Sequence, residues 1–117
     1  MTAKKTINIE PFGCKLQLII TDTIKKEISK IYKSYGVDGS YDGEVEGVLI
    51  TGTMGTYHLV IDVACLSHNT IAHETYHAVV RITEDRDVVD EETQAWLCGY
   101  ITETLYHFIK LKKLEIK

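Results

Sequence analysis

Residues 69–82 read Asn-Thr-Ile-Ala-His-Glu-Thr-Tyr-His-Ala-Val-Val-Arg-Ile and hold neither proline nor glycine. Ile71, Thr75, Ala78, Val79 and Ile82 recur at helical spacing and form one stripe that a fold must bury. Asn69 or Thr70 has the side chain to cap the start of such a helix. On a helix, residues four apart share a face, one turn above the other. His73 and His77 therefore present two imidazoles to one point, and Glu74 projects beside them. This HExxH arrangement suits a divalent metal held by the histidines, with the glutamate taking a proton from water. An amphipathic helix with two surface histidines shows the same spacing, so the motif needs support from the rest of the chain.

With 117 residues, the chain is expected to form a single domain, residues 1–117, around one core. Its 44% hydrophobic and 26% charged residues are ordinary for a globular protein. The formal net charge is −4, and the one basic cluster is Lys110-Leu111-Lys112-Lys113, which argues against a nucleic-acid surface. No apolar run approaches the roughly 20 residues of a membrane span. The basic start, Met1-Thr2-Ala3-Lys4-Lys5, has no long apolar stretch after it, so a signal peptide is not expected and a cytoplasmic location is. Cys14, Cys65 and Cys98 form no C-x-x-C pair and read as buried free thiols in a reducing compartment.

The remaining pattern is α+β, with three main helices and a small antiparallel sheet. Residues 6–10 and 16–20 alternate around a Pro11-Phe12-Gly13 turn, as a strand pair or one broken strand. Asp22 is placed to cap a helix over 23–35, ended by Gly36, with a polar loop over 37–43. Residues 45–51 and 57–63 pair naturally as a hairpin across Gly52-Thr53-Met54-Gly55. In the second strand, Tyr57, Leu59, Ile61 and Val63 share one face and His58, Val60 and Asp62 the other. After a charged loop over 83–90, Asp90 caps a last helix running from Glu91 towards Leu114. Ala95, Cys98, Ile101, Thr102, Leu105, Phe108 and Ile109 would line its buried side.

Two histidines do not close a catalytic zinc site, which usually has three protein ligands and an open position. Asp85, Asp87, Asp90, Glu91, Glu92 and Glu103 lie downstream and carry the right chemistry. Acidic residues are also favoured in a first helical turn by the helix dipole alone.

Glu92-Thr93-Gln94-Ala95 resembles the second motif of the gluzincin metallopeptidases. Together, H-E-T-Y-H-A, the acidic link and D-E-E-T-Q-A-W-L-C-G-Y-I resemble small phage- and prophage-encoded zinc metallopeptidases of the single-domain minigluzincin kind, over about residues 47–109. The resemblance implies a zincin-like fold and Zn²⁺ held by His73, His77 and Glu92, with Glu74 as general base. Glu92 is preferred to Glu91, which points about 100° away on a helix. Ala95 is small enough to let the last helix approach the motif helix. A peptide or protein substrate would pair with an edge strand of the 45–63 hairpin. Tyr100, His107 and His68 are candidates to assist at the oxyanion, whereas Tyr76 is read as pointing away from the ligands by helical phase. Asp62 and Asp87 are candidates to orient the histidines. The competing expectations are a non-catalytic zinc-binding module, phage-related and structural or regulatory, and an α+β interaction domain carrying the motif by chance.

Overall fold

The computed structural model describes residues 1–40 and 43–117. Strands β1 (Thr2–Ile9) and β2 (Cys14–Thr21) are followed by helix α1 (Ile24–Ser34). Strands β3 (Gly47–Thr51) and β4 (Thr56–Asp62) come next, then helices α2 (His68–Glu84) and α3 (Glu91–Leu111). One sheet of order β1-β2-β4-β3 holds all four strands. Of the expected loop over 37–43, Tyr41 and Asp42 lie outside the described residues.

The sheet is mixed rather than antiparallel. The 45–63 hairpin forms as expected, and the N-terminal segments form a strand pair rather than one broken strand, with Leu49 opposite Leu59 and Ile7 opposite Leu16. The hairpins then join through a parallel pair, β2 with β4, in which Leu18 lies beside Leu59. The reason is topological: β3 begins at the end of the sheet where β2 finishes and runs opposite to it, and the turn after β3 reverses the chain, so the strand that lies against β2 runs the same way. That strand is β4, which leaves β3 as an outer strand with one edge unpaired among the described residues.

Alternation sorts the side chains into two cores. Leu16, Leu18, Ile20, Tyr57, Leu59 and Ile61 face the layer made by α2 and α3. Ile19 and Val60 face the other way, onto Ile24, Ile28 and Ile31 of α1. The α2 stripe is buried as its spacing requires: Ile71, Thr75, Ala78, Val79 and Ile82 are each at most 7% exposed. On α3, Leu97, Ile101, Leu105, Phe108 and Ile109 are buried, whereas Ala95 and Cys98 are exposed. The thiols divide accordingly, with Cys14 buried, Cys65 partly so and Cys98 open to solvent.

Capping explains the starts of α2 and α3. Ser67, in an extended conformation, accepts from the Thr70 amide at 3.1 Å, so α2 begins earlier than Asn69 or Thr70 would set it. The helix continues to Glu84, shortening the expected loop. Asp90 accepts from the Thr93 amide at 3.0 Å. Thr23 rather than Asp22 precedes α1, and its hydroxyl pairs with that of Thr21 at 3.2 Å. No helix among the described residues is long and apolar enough to cross a membrane.

A buried polar cluster lies on the α1 face. His58 pairs through Nδ1 with Gln17 Oε1 (2.7 Å) and through Nε2 with the Tyr35 hydroxyl (2.5 Å). Burial holds the His58 imidazole below its ordinary pKa, and the Lys4 charge adds to the effect. The unfolded chain therefore takes up this proton at a higher pH than the fold does, and stability falls as pH drops below about 6.5. Urea unfolding is expected to show a lower midpoint at about pH 5.5 than at about pH 7.5, with a smaller difference in H58Q.

Candidate metal centre

Helix α2 lies against the sheet with Glu74 turned inward and His73 and His77 turned out. The imidazole Nε2 atoms of His73 and His77 are 3.1 Å apart. Two nitrogens each 2.0–2.1 Å from a tetrahedral zinc would be about 3.4 Å apart, so the pair is close to ligating geometry without rearrangement. One ligand atom from each of His73, Glu74 and His77 lies within 4.8 Å of the others. The chemistry of the set also fits: two imidazoles suit a borderline cation, and Glu74 adds a carboxyl group beside them. Helical pitch alone brings the histidines together, whereas the position of Glu74 depends on the sheet.

Glu74 is 3% exposed and packs against Gly47 at the start of β3. A Cβ on Gly47 would lie 2.8 Å from Glu74 Cγ and 2.9 Å from Cδ, so a residue without a side chain is required there while Glu74 holds this position. Burial pushes the Glu74 carboxyl above the usual carboxylate range. His77 and His73 pull it down, and Glu46 raises it further. Gly47, Val48 and Leu49 form one wall of a hollow of about 270 Å³ whose other wall includes His73, Glu74 and His77. The unpaired edge of β3 thus runs beside the histidine pair.

Glu92 does not join this group. It is exposed and lines a separate hollow with Pro11, Phe12, Val88 and Trp96. Helical phase accounts for the placement: Glu92 is about 180° round α3 from the buried Ile101. Glu91 and Ala95 face a groove between α2 and α3, and Glu91 is also outside the His73–Glu74–His77 group.

The other candidates are placed as follows. Tyr100 stacks on Trp96, with rings 5.4 Å apart and 3° from parallel. His68 Nδ1 pairs with the Tyr106 hydroxyl at 2.5 Å, and His107 is exposed. Asp62 accepts from the Ala64 amide at 3.0 Å, and Asp87 lines the α2–α3 groove. Tyr76, read from helical phase as pointing away, instead lies beside the pair and lines a hollow with His73 and His77. Residues three apart are neighbours on a helix surface, which is the relation of Tyr76 to His73. Gly47 and Glu46 were not singled out by the sequence, because only strand pairing brings them to Glu74. A glycine in the first strand of the hairpin that precedes the HExxH helix was the available signal.

Comparison with protein-family models, with curated proteins and with solved structures finds no match to this chain.

Two outcomes follow for the isolated protein. In zinc titrations followed by calorimetry, His73→Ala or His77→Ala is expected to abolish binding, while Glu92→Ala leaves affinity unchanged. Gly47→Ala is expected to lower stability by about 1–3 kcal/mol. Adding Glu74→Ala to it should recover part of that loss in a double-mutant cycle read by urea unfolding.

Proposed function

We propose that the protein is a zinc-dependent peptide hydrolase whose centre is His73, Glu74 and His77. The observation that carries this reading is their convergence beside the unpaired edge of β3. His73 and His77 would hold the ion. Bound there, zinc would supply Lewis-acid polarisation of a carbonyl and lower the pKa of a coordinated water towards ~7.

The chain's own groups do the rest. Glu74 accepts a proton from the attacking water and returns it to the leaving amine. Its burial favours this role, since a carboxyl raised above its ordinary range is a stronger base once ionised. A substrate backbone would pair with the free N–H and C=O groups of β3, which would orient its carbonyl next to Glu74. Because Glu92 faces solvent elsewhere, this reading leaves the other coordination positions to water and substrate.

A second reading is favoured by that same feature. Two exposed imidazoles to which no described residue beyond Glu74 adds a ligand atom also suit a module that binds zinc without hydrolysing anything. Glu74→Gln separates the two. On the hydrolase reading, the variant keeps its zinc and loses about 10²–10⁴-fold in hydrolysis of a peptide the wild type cleaves. Equal turnover by variant and wild type would contradict the role given to Glu74. A zinc-loaded wild type inert towards a broad peptide mixture would leave the binding module.

A further inference from the structure

Beyond the histidine pair, the first turns of α3 splay from the second half of α2 and leave a groove of about 590 Å³. Its floor is aliphatic, made by Val79, Val80, Val88 and Ala95. Its rim carries Glu84, Asp87 and Glu91, and no lysine, arginine or histidine is among the described residues that line it. Arg81 reaches Glu84 at 3.7 Å from outside, in an exposed pair that is weakly held. Val89, at the mouth, is 89% exposed. Tyr76 lines both this groove and the hollow of His73 and His77, so the two spaces adjoin.

An aliphatic floor under a ring of carboxylates selects a particular chemistry. Burial of apolar side chains supplies attraction that does not depend on charge, and the rim then favours cations and repels acidic chains. We propose that the groove binds a peptide segment in which aliphatic residues are flanked by lysine or arginine, and that it delivers this segment to the His73–His77 centre. The binding claim stands on the groove alone; the claim that the segment is a substrate rests on the hydrolase reading.

Cys98 provides the readout. It is exposed and lies in the groove, while Cys14 is buried and Cys65 is partly buried elsewhere. Alkylation by iodoacetamide, resolved by mass spectrometry, reports groove occupancy at Cys98 with Cys65 as internal reference. The probe is the amidated dodecapeptide (Leu-Lys)6. At about four times its dissociation constant it is expected to slow Cys98 alkylation about fivefold and to leave Cys65 unchanged. Neither (Leu-Glu)6 nor (Ser-Lys)6 should protect Cys98, and the triple variant E84Q/D87N/E91Q should lose protection by (Leu-Lys)6. The proposal is overturned if no protection occurs, if (Ser-Lys)6 protects equally, or if protection persists in the triple variant. Protection that grows with protein concentration alone, in step with dimer formation, would assign the groove to a second copy and also overturn it. Incubating the zinc-loaded protein with (Leu-Lys)6 separates the two readings. Binding without cleavage of this or any other peptide removes the hydrolase and leaves the groove assignment. Cleavage of other peptides without protection of Cys98 does the reverse.

Discussion

The contact between Glu74 and Gly47 is what the candidate centre depends on. A carboxyl group is costly to bury, and a chain ordinarily keeps one in water. Here it is almost fully covered, between the helix that carries it and the first residue of an outer strand. No larger residue fits at Gly47 without moving that carboxyl or the strand. The contact fixes the distance between α2 and the edge of β3, and so decides how far the two imidazoles stand from free backbone groups. A helix lifted from the sheet by one side chain would keep its histidines together and lose its relation to the strand.

Sheet topology makes that edge available. The parallel pairing of β2 with β4 puts the most apolar strands in the centre, where Leu16, Leu18, Leu59 and Val60 are fully buried. The outer places fall to β1 and β3. β1 carries Lys4 and Lys5, charges that discourage pairing with another chain, while β3 reads Gly-Val-Leu-Ile-Thr without a charge. An uncharged edge strand beside two histidines that could hold a metal is open to pairing with an extended chain. The groove between α2 and α3 begins where Tyr76 leaves the same helix face. Edge, histidines and groove therefore share one surface of α2.

Elements governed by local rules were legible in the sequence. The α2 stripe, the alternation along β4 and the Asp90 cap each follow from spacing and side-chain chemistry within a few residues. The parallel pairing was not, because two hairpins read separately contain no information on how they join. Glu92 lies away from the histidines for a different reason. Its assignment as a ligand came from resemblance to a motif and from taking Ala95 and Cys98 as the buried side of α3. Leu97 takes that place instead, and a helix rotated to bury Leu97 and Ile101 turns Glu92 to solvent. Ala95 does face α2, yet across an open groove rather than in tight contact. The histidine pair needed only helical pitch to be read correctly, whereas its partner Gly47 needed the sheet.

The central claim is that a single divalent ion sits on His73 and His77 beside the edge of β3. Anomalous diffraction at the zinc edge, from crystals grown with one equivalent of zinc, tests it most directly. The account predicts one strong peak within bonding distance of both Nε2 atoms, next to Gly47, with α3 contributing no ligand. A peak bound by Glu92, or no peak at the two imidazoles, would contradict it.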